Sequence, residues 1–248
     1  MATGALRYVL ITGYNRGLGL GLAKEVIQKS AGQTKVLATY RNPEESEELL
    51  ELAQSNPSLV PIQFDVRDYS SYDKFMGPVT QTVGDSGLDL LVNNAGVNLP
   101  EGRTLRDLTP EVMLETYKIN CISPTLITRD LVPLLSKGKF SPEGQNAVVV
   151  QMGAIVGSVS MNPQPGWYPY SCSKSALNMS MSLLQKELKR KKITLISFHP
   201  GWVKTDLGGP KAPLTVEHCS KKMLETFLQI TPKEQGKFLT MGKKPLTW

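Results

Sequence analysis

Residues 7–21 read RYVLITGYNRGLGLG. The apolar run Arg7–Thr12 has the length of a buried strand and passes straight into glycines at 13, 17 and 19. Glycine lets a chain turn tightly and lets a ligand approach the backbone. A helical pattern opens inside the same stretch, so free N–H groups and a positive dipole end would face a pyrophosphate there. Glycines also serve ordinary turns. Their place, directly after the first strand and at the start of a helix, is what makes this pattern specific.

Outward from that stretch, apolar β-rich runs alternate with helical patterns. The expected strands are Arg7–Thr12, Lys35–Tyr40, Val60–Phe64, Leu88–Asn93, Ala147–Gln151, Thr194–Phe198 and Lys237–Thr240, with helices near 17–31, 43–55, 69–83, 110–136, 170–191 and 215–229. Continuous apolar strands such as LDLLVN and AVVVQ imply burial on both faces, as in a parallel sheet covered by helices. The expectation is an α/β, doubly wound Rossmann-type three-layer sandwich with a mostly parallel seven-stranded sheet, in one domain over residues 1–248. KGKFSPEGQN at 137–146 reads as a polar surface loop, and MNPQPGWYP at 161–169 as a Pro/Gly-punctuated one.

Bulk properties narrow the function. A chain of 248 residues buries a sizeable core without disulfides. Its three cysteines, Cys121, Cys172 and Cys219, are scattered without a CxxC, so neither a metal cluster nor a disulfide framework is expected and a cytoplasmic location is. No apolar run is long enough to span a membrane, and the N-terminal apolar stretch is too short for a signal peptide. The net charge of +6 raises the question of nucleic acid. The densest basic run, Lys189–Lys192, closes a helical pattern where cations favour the helix end, so no nucleic-acid partner is expected. A positive field also attracts an anionic cofactor.

Tyr170 and Lys174 stand one helical turn apart. A free tyrosine ionises near pH ~10, too high to trade protons readily at neutrality. An ammonium on the same helix face favours the phenolate, so the spacing predicts a lowered tyrosine pKa.

These motifs together resemble the short-chain dehydrogenases/reductases. The glycine spacing Gly-x3-Gly-x-Gly is the form that family uses. Asp65-Val66 ends the third strand, Asn93-Asn94-Ala95-Gly96 follows the fourth, and Asn120 lies in the long fourth helical stretch. Tyr170 to Lys174 matches YxxxK, and Pro200-Gly201-Trp202-Val203-Lys204-Thr205 matches PGxVxT. With GSV after the fifth strand and PGWVKTDLGG after the sixth, the chain is most similar to the sniffer-like, C-factor-like carbonyl reductases. The resemblance implies a nicotinamide cofactor held by Gly13, Asn15, Arg16, Gly17, Leu18, Gly19, Asp65, Val66, Asn93, Ala95, Gly96, Tyr170, Lys174, Pro200, Gly201, Val203 and Thr205. It implies that Tyr170 protonates a carbonyl oxygen as hydride arrives, that Lys174 also holds the ribose, and that Asn120 fixes a water in the proton relay. It further implies a homodimer or homotetramer.

The second strand ends Ala38-Thr39-Tyr40-Arg41-Asn42 with no acid until Glu44. An acid there would grip ribose hydroxyls, whereas a basic group accommodates a 2′-phosphate. Arg41, with Arg16 on the other side, therefore points to NADPH/NADP+.

One position departs from the family pattern. Relatives carry Ser-Ser-x-x-Gly-Ser after the fifth strand, and alignment on Gly157-Ser158 places Gly153-Ala154 against the two serines. Ala154 thus stands where the catalytic hydroxyl is expected, and losing one such donor costs ~10²–10³ in rate. Ser158 and Ser160 are candidate stand-ins. Three explanations stay open: an engineered trap, a natural enzyme whose substrate needs no such donor, or a protein that kept the cofactor and gave up reduction. The functions in view are accordingly an NADPH-dependent carbonyl or secondary-alcohol oxidoreductase, an NADPH-binding regulatory or interaction protein, and a non-redox isomerase or cyclase using Tyr170 and Lys174. Trp167 and Trp202 flank the active segments as candidate substrate contacts, and Leu207–Thr215 reads as a mobile flap. His199, His218 and Cys172 read as structural.

Overall fold

The computed structural model describes residues 6–140, 143–163 and 165–248. Its strands are β1 (Tyr8–Ile11), β2 (Lys35–Tyr40), β3 (Leu59–Gln63), β4 (Leu90–Asn93), β5 (Ala147–Met152), β6 (Ile193–His199), β7 (Phe238–Thr240) and β8 (Lys244–Leu246). The α-helices are α1 (Gly17–Lys29), α2 (Glu47–Ser55), α3 (Tyr72–Val83), α4 (Pro110–Tyr117), α5 (Ser123–Leu135), α6 (Tyr168–Leu188) and α7 (Val216–Phe227). They flank one sheet of order β3-β2-β1-β4-β5-β6-β7-β8.

The sheet is parallel except for β8, which runs antiparallel to β7. Eight strands therefore replace the expected seven. The added strand, Lys-Pro-Leu, is too short to show a period and carries a proline. Proline cannot donate to a ladder and is confined to edges. Both edge strands contain one, Pro61 in β3 and Pro245 in β8, which blunts further strand addition.

Alternate residues of each central strand enter two cores. Val9, Ile11, Val36, Val92, Val150 and Phe198 pack toward α1, α2 and α7, while Leu10, Leu37, Leu91, Val149 and Leu195 pack toward α3, α5 and α6. That double burial is why the strands read as unbroken apolar runs. Strand order reverses between β1 and β4, and the crevice beyond their carboxyl ends is where such sheets bind ligands.

The expected helix at 110–136 is α4 and α5 joined through a π turn at Lys118–Ile122. The loop at 137–146 is less polar in place than in composition. Phe140 and Gln145 are buried, with Gln145 Nε2 donating to Ile230 O at 2.8 Å. Ser141 and Pro142 in that loop, and Gln164 in the next, lie outside the described residues. The segment read as a flap is folded back on residues 202–204: Lys204 N donates to Leu214 O at 2.8 Å and Leu214 N to Trp202 O at 3.3 Å. No helix among the described residues is long and apolar enough to cross a membrane.

Candidate active site

The glycine loop is stitched to the turn after β4. Thr12 Oγ1 accepts from the backbone N–H groups of Asn94 and Ala95 at 3.0 and 3.1 Å, and Asn94 Nδ2 donates to Thr12 O and Gly13 O at 3.0 and 2.7 Å. Gly13 has φ +65°, and a Cβ there would lie 2.6 Å from Ala95 Cα, so this turn requires glycine. Gly17 opens α1 at φ +58°. Arg16, at the N-cap, makes no side-chain cap, and the first turn holds no acid, which leaves the N–H groups and dipole of α1 free for an anion. A Cβ on Gly19 would meet Gly13 O at 2.6 Å, and Leu18 packs against the α1-side core. These residues form the cradle a dinucleotide pyrophosphate fits.

The adenosine end is more entangled than the sequence suggests. Arg41 pairs with Glu45 at 3.4 Å, while Asn15 Nδ2 donates to Glu45 O at 3.1 Å. Arg16 pairs with Asp206 at 3.0 Å. Asp65 is gripped by Arg67, whose hydrogen bonds hold its carboxyl below the usual range, and Arg67 also reaches Glu115. Val66 offers its carbonyl to Tyr72 and Ser123. A groove of about 420 Å³ runs along edge strand β3 from Arg41 and Asp65 to Lys74, and neither Tyr170 nor Lys174 lines it.

Asn93 departs from expectation in its side chain, which is buried under α5 and donates to Thr128 Oγ1 at 2.9 Å and Pro124 O at 3.3 Å. Gly96 lies between Asn120 and Lys174: a Cβ there would stand 3.3 Å from Asn120 Oδ1 and 3.6 Å from Lys174 Nζ.

Asn120 lies in the π turn, the sort of helix defect that recurs at functional sites. It is fully buried and bonded on every side. Its Oδ1 accepts from Val97 N at 2.9 Å, and its Nδ2 donates to Val97 O at 2.8 Å and Ser173 Oγ at 3.0 Å. Ser173 in turn donates to Tyr170 O at 2.8 Å. The side chain thus anchors the turn after β4 to α6.

Lys174 Nζ is buried and donates to Met152 O at 2.7 Å, and it lies 5.8 Å from the Tyr170 ring centre. Desolvation pushes its pKa down to about 8. Tyr170 is partly exposed, yet the protein packed around its phenol pushes the pKa up to about 12. This corrects the expected acidification of the tyrosine by its neighbour. The ammonium is aimed at the β5 carbonyl and is itself disfavoured by burial, so desolvation wins at both groups.

Ala154 is buried and extended at the exit of β5, ahead of a 3₁₀ turn at Ile155–Gly157. Neither candidate stand-in has a free hydroxyl. Ser158 Oγ accepts from Met161 N at 3.0 Å and pairs with Ser160 Oγ at 3.3 Å. Ser160 Oγ donates to Trp248 O at 2.7 Å and meets Thr247 Oγ1 at 2.8 Å. At Gly153 a Cβ would stand 2.5 Å from Ser197 Oγ, which is bonded to Asn178 Oδ1. At Gly157 it would stand 2.6 Å from Lys174 Cβ.

Trp167 precedes α6 as its cap residue, with φ +58°; Arg103 lies 4.9 Å over its ring, and Arg103 O accepts its backbone N–H at 3.0 Å. Trp202 is exposed, its Nε1 donating to Gly208 O at 2.7 Å. After Pro200, Gly201 has φ +87°, Val203 is buried, and the Thr205 methyl lies 3.3 Å from a Cβ placed on Gly17. His199 is pulled down to about 4 by burial, which keeps it neutral. Asn94, Thr12, Ser173 and the Met152 carbonyl are the site members that motif reading missed. Asn94 and Ser173 sit inside quoted motifs, but nothing in the sequence says which partner each side chain takes.

The model of the short chain dehydrogenase family matches residues 7–213. The carbonyl reductase Sniffer of D. melanogaster is similar in structure, with TM-score 0.92 and 34% identity over 98% of this chain and 100% of that one. An NADPH-bound carbonyl reductase from chicken fatty liver gives 0.91 and 32% over 98% and 99%. An uncharacterized oxidoreductase of Schizosaccharomyces pombe is 29% identical over 92% of each chain. The family match begins at β1 and runs past the Lys174 helix into the segment after β6, and the chain belongs to the short-chain dehydrogenase family.

Proposed function

We propose that this chain is an NADPH-dependent carbonyl reductase acting on a small ketone or aldehyde, or on the secondary alcohol in reverse. The observation that carries this reading is the approach of Lys174 Nζ and Asn120 Oδ1 to Gly96, with Tyr170 one turn before Lys174 on α6, beside the uncapped start of α1. The uncapped, acid-free start of α1 offers N–H groups to a pyrophosphate, and Arg16 and Arg41 supply the charge a 2′-phosphate needs. When bound, NADPH supplies a hydride to the carbonyl carbon. The Tyr170 hydroxyl gives its proton to the carbonyl oxygen, and the product is an alcohol. Lys174, bonded to the Met152 carbonyl, would hold the ribose side of the pocket. Asn120 fixes the turn at Val97 against α6, so that these groups keep their spacing.

Ala154 supports a reduced rate, because no side-chain hydroxyl stands at the β5 exit to meet the developing oxyanion. It also favours a second reading, an NADPH-binding protein without turnover. NADPH oxidation with a panel of carbonyls separates the two. Carbonyl-dependent oxidation lost in Tyr170→Phe supports the reductase; NADPH binding with no turnover supports the second reading.

We further propose a cytosolic homodimer. The three cysteines are unpaired, and exposed Leu114, Ile122, Met179 and Leu183 give α4, the π turn and α6 apolar outer positions for a second copy.

A further inference from the structure

The chain after β6 is bonded to itself. Besides the pairing of 202–204 with Leu214, Gly209 N donates to Thr205 O at 2.7 Å, Gly208 N to Thr205 Oγ1 at 3.1 Å, and Trp202 Nε1 to Gly208 O at 2.7 Å. This folded unit meets the glycine loop at two adjacent points. The Thr205 methyl faces Gly17, and Asp206 Oδ2 lies 3.0 Å from Arg16 Nε. Arg16 is therefore paired with a carboxylate that belongs to the segment beside the cofactor cleft. Arg41 is paired too, but Glu45 belongs to its own turn.

We infer that Asp206 holds the place of the cofactor's 2′-phosphate at Arg16, so that a phosphate arriving there frees the 202–214 segment from the glycine loop. The inference rests on the NADPH reading. Both partners are exposed, 61% and 73%, so the pair is weak and a dianion competes with it readily. Asp206 also repels any phosphate that Arg16 attracts. It is thus a determinant of cofactor affinity that acts against binding while it holds the segment in the ligand-free protein. Glu45 is the internal control, since its carboxylate occupies Arg41 within one turn and only its backbone carbonyl reaches the glycine loop.

The test uses the full chain with adenosine 2′,5′-bisphosphate and 5′-AMP, which differ only in the 2′-phosphate. Calorimetry gives affinities, and amide exchange read by mass spectrometry follows residues 202–214. Asp206→Asn is expected to tighten the bisphosphate by about two- to five-fold, leave 5′-AMP unchanged, and speed exchange in the ligand-free segment. The bisphosphate is expected to speed that exchange in the unmodified protein and to add nothing in Asp206→Asn. Glu45→Gln is expected to tighten the bisphosphate without altering exchange. If the bisphosphate binds better than 5′-AMP while Asp206→Asn changes neither affinity nor exchange, the place-holder is overturned and the NADPH reading stands. If the two nucleotides bind equally, the NADPH reading falls and the place-holder with it.

Discussion

Lys174 Nζ donates a 2.7 Å hydrogen bond to the carbonyl of Met152, the last residue of β5. The helix that carries Tyr170 is thereby tied to the strand whose exit holds Ala154. The tyrosine is not acidified because the protein packed around its phenol disfavours the phenolate.

Burial at Lys174 has a signature in stability. Its pKa falls from 10.5 in the unfolded chain to about 8 in the folded one. Below pH 8 both states hold the proton; between 8 and 10.5 only the unfolded chain does, so stability rises with pH through that window. Urea unfolding at pH 7 and pH 10 should show the unmodified protein gaining on the order of 2 kcal/mol relative to Lys174→Met. A difference that stays flat with pH would place the amine in water.

The two missing serines are not equivalent. Gly153 has no room for a Cβ, which would stand 2.5 Å from Ser197 Oγ and 3.2 Å from the Phe238 ring. Gly153→Ser should cost about 1–3 kcal/mol through overpacking. Ala154→Ser, which adds one oxygen to an existing Cβ, should cost less. Denaturant melts of the two variants decide the order, and equal losses would deny the packing argument.

Arg41→Ala should weaken NADPH by about tenfold or more, since a charged hydrogen bond contributes roughly 1.5–3 kcal/mol. NADH, lacking the phosphate, should change by no more than about twofold on the same grounds. Fluorescence titration of both cofactors makes the comparison, and matched losses would remove Arg41 from the phosphate.

Asn120 bonds the Val97 N–H, the Val97 carbonyl and the Ser173 hydroxyl. Asn120→Ala should therefore destabilise the fold by at least about 2 kcal/mol, because it leaves buried polar groups unpaired. An unchanged unfolding midpoint together with lost turnover would make Asn120 a chemical group alone.

The features legible in the sequence were local ones. The glycine run after β1, the NNAG turn and the Tyr170–Lys174 spacing each lie within a few residues, and strand burial shows as apolar runs. Features that depend on distant partners were hidden. β8 is too short to show a period, and the π turn interrupts a helical pattern without changing its composition. The Arg16–Asp206 pair joins residues far apart in sequence. Burial of the phenol raises the Tyr170 pKa and Lys174 points to the Met152 carbonyl, yet YxxxK carries no trace of either.

The most direct test is NADPH oxidation across a carbonyl panel by the unmodified chain, Ala154→Ser and Tyr170→Phe. The expected result is slow carbonyl-dependent oxidation by the unmodified chain, a gain of ~10²-fold or more in Ala154→Ser, and a loss of ~10²–10⁴-fold in Tyr170→Phe. NADPH binding without carbonyl-dependent oxidation, in the unmodified chain and in Ala154→Ser alike, would contradict the reductase.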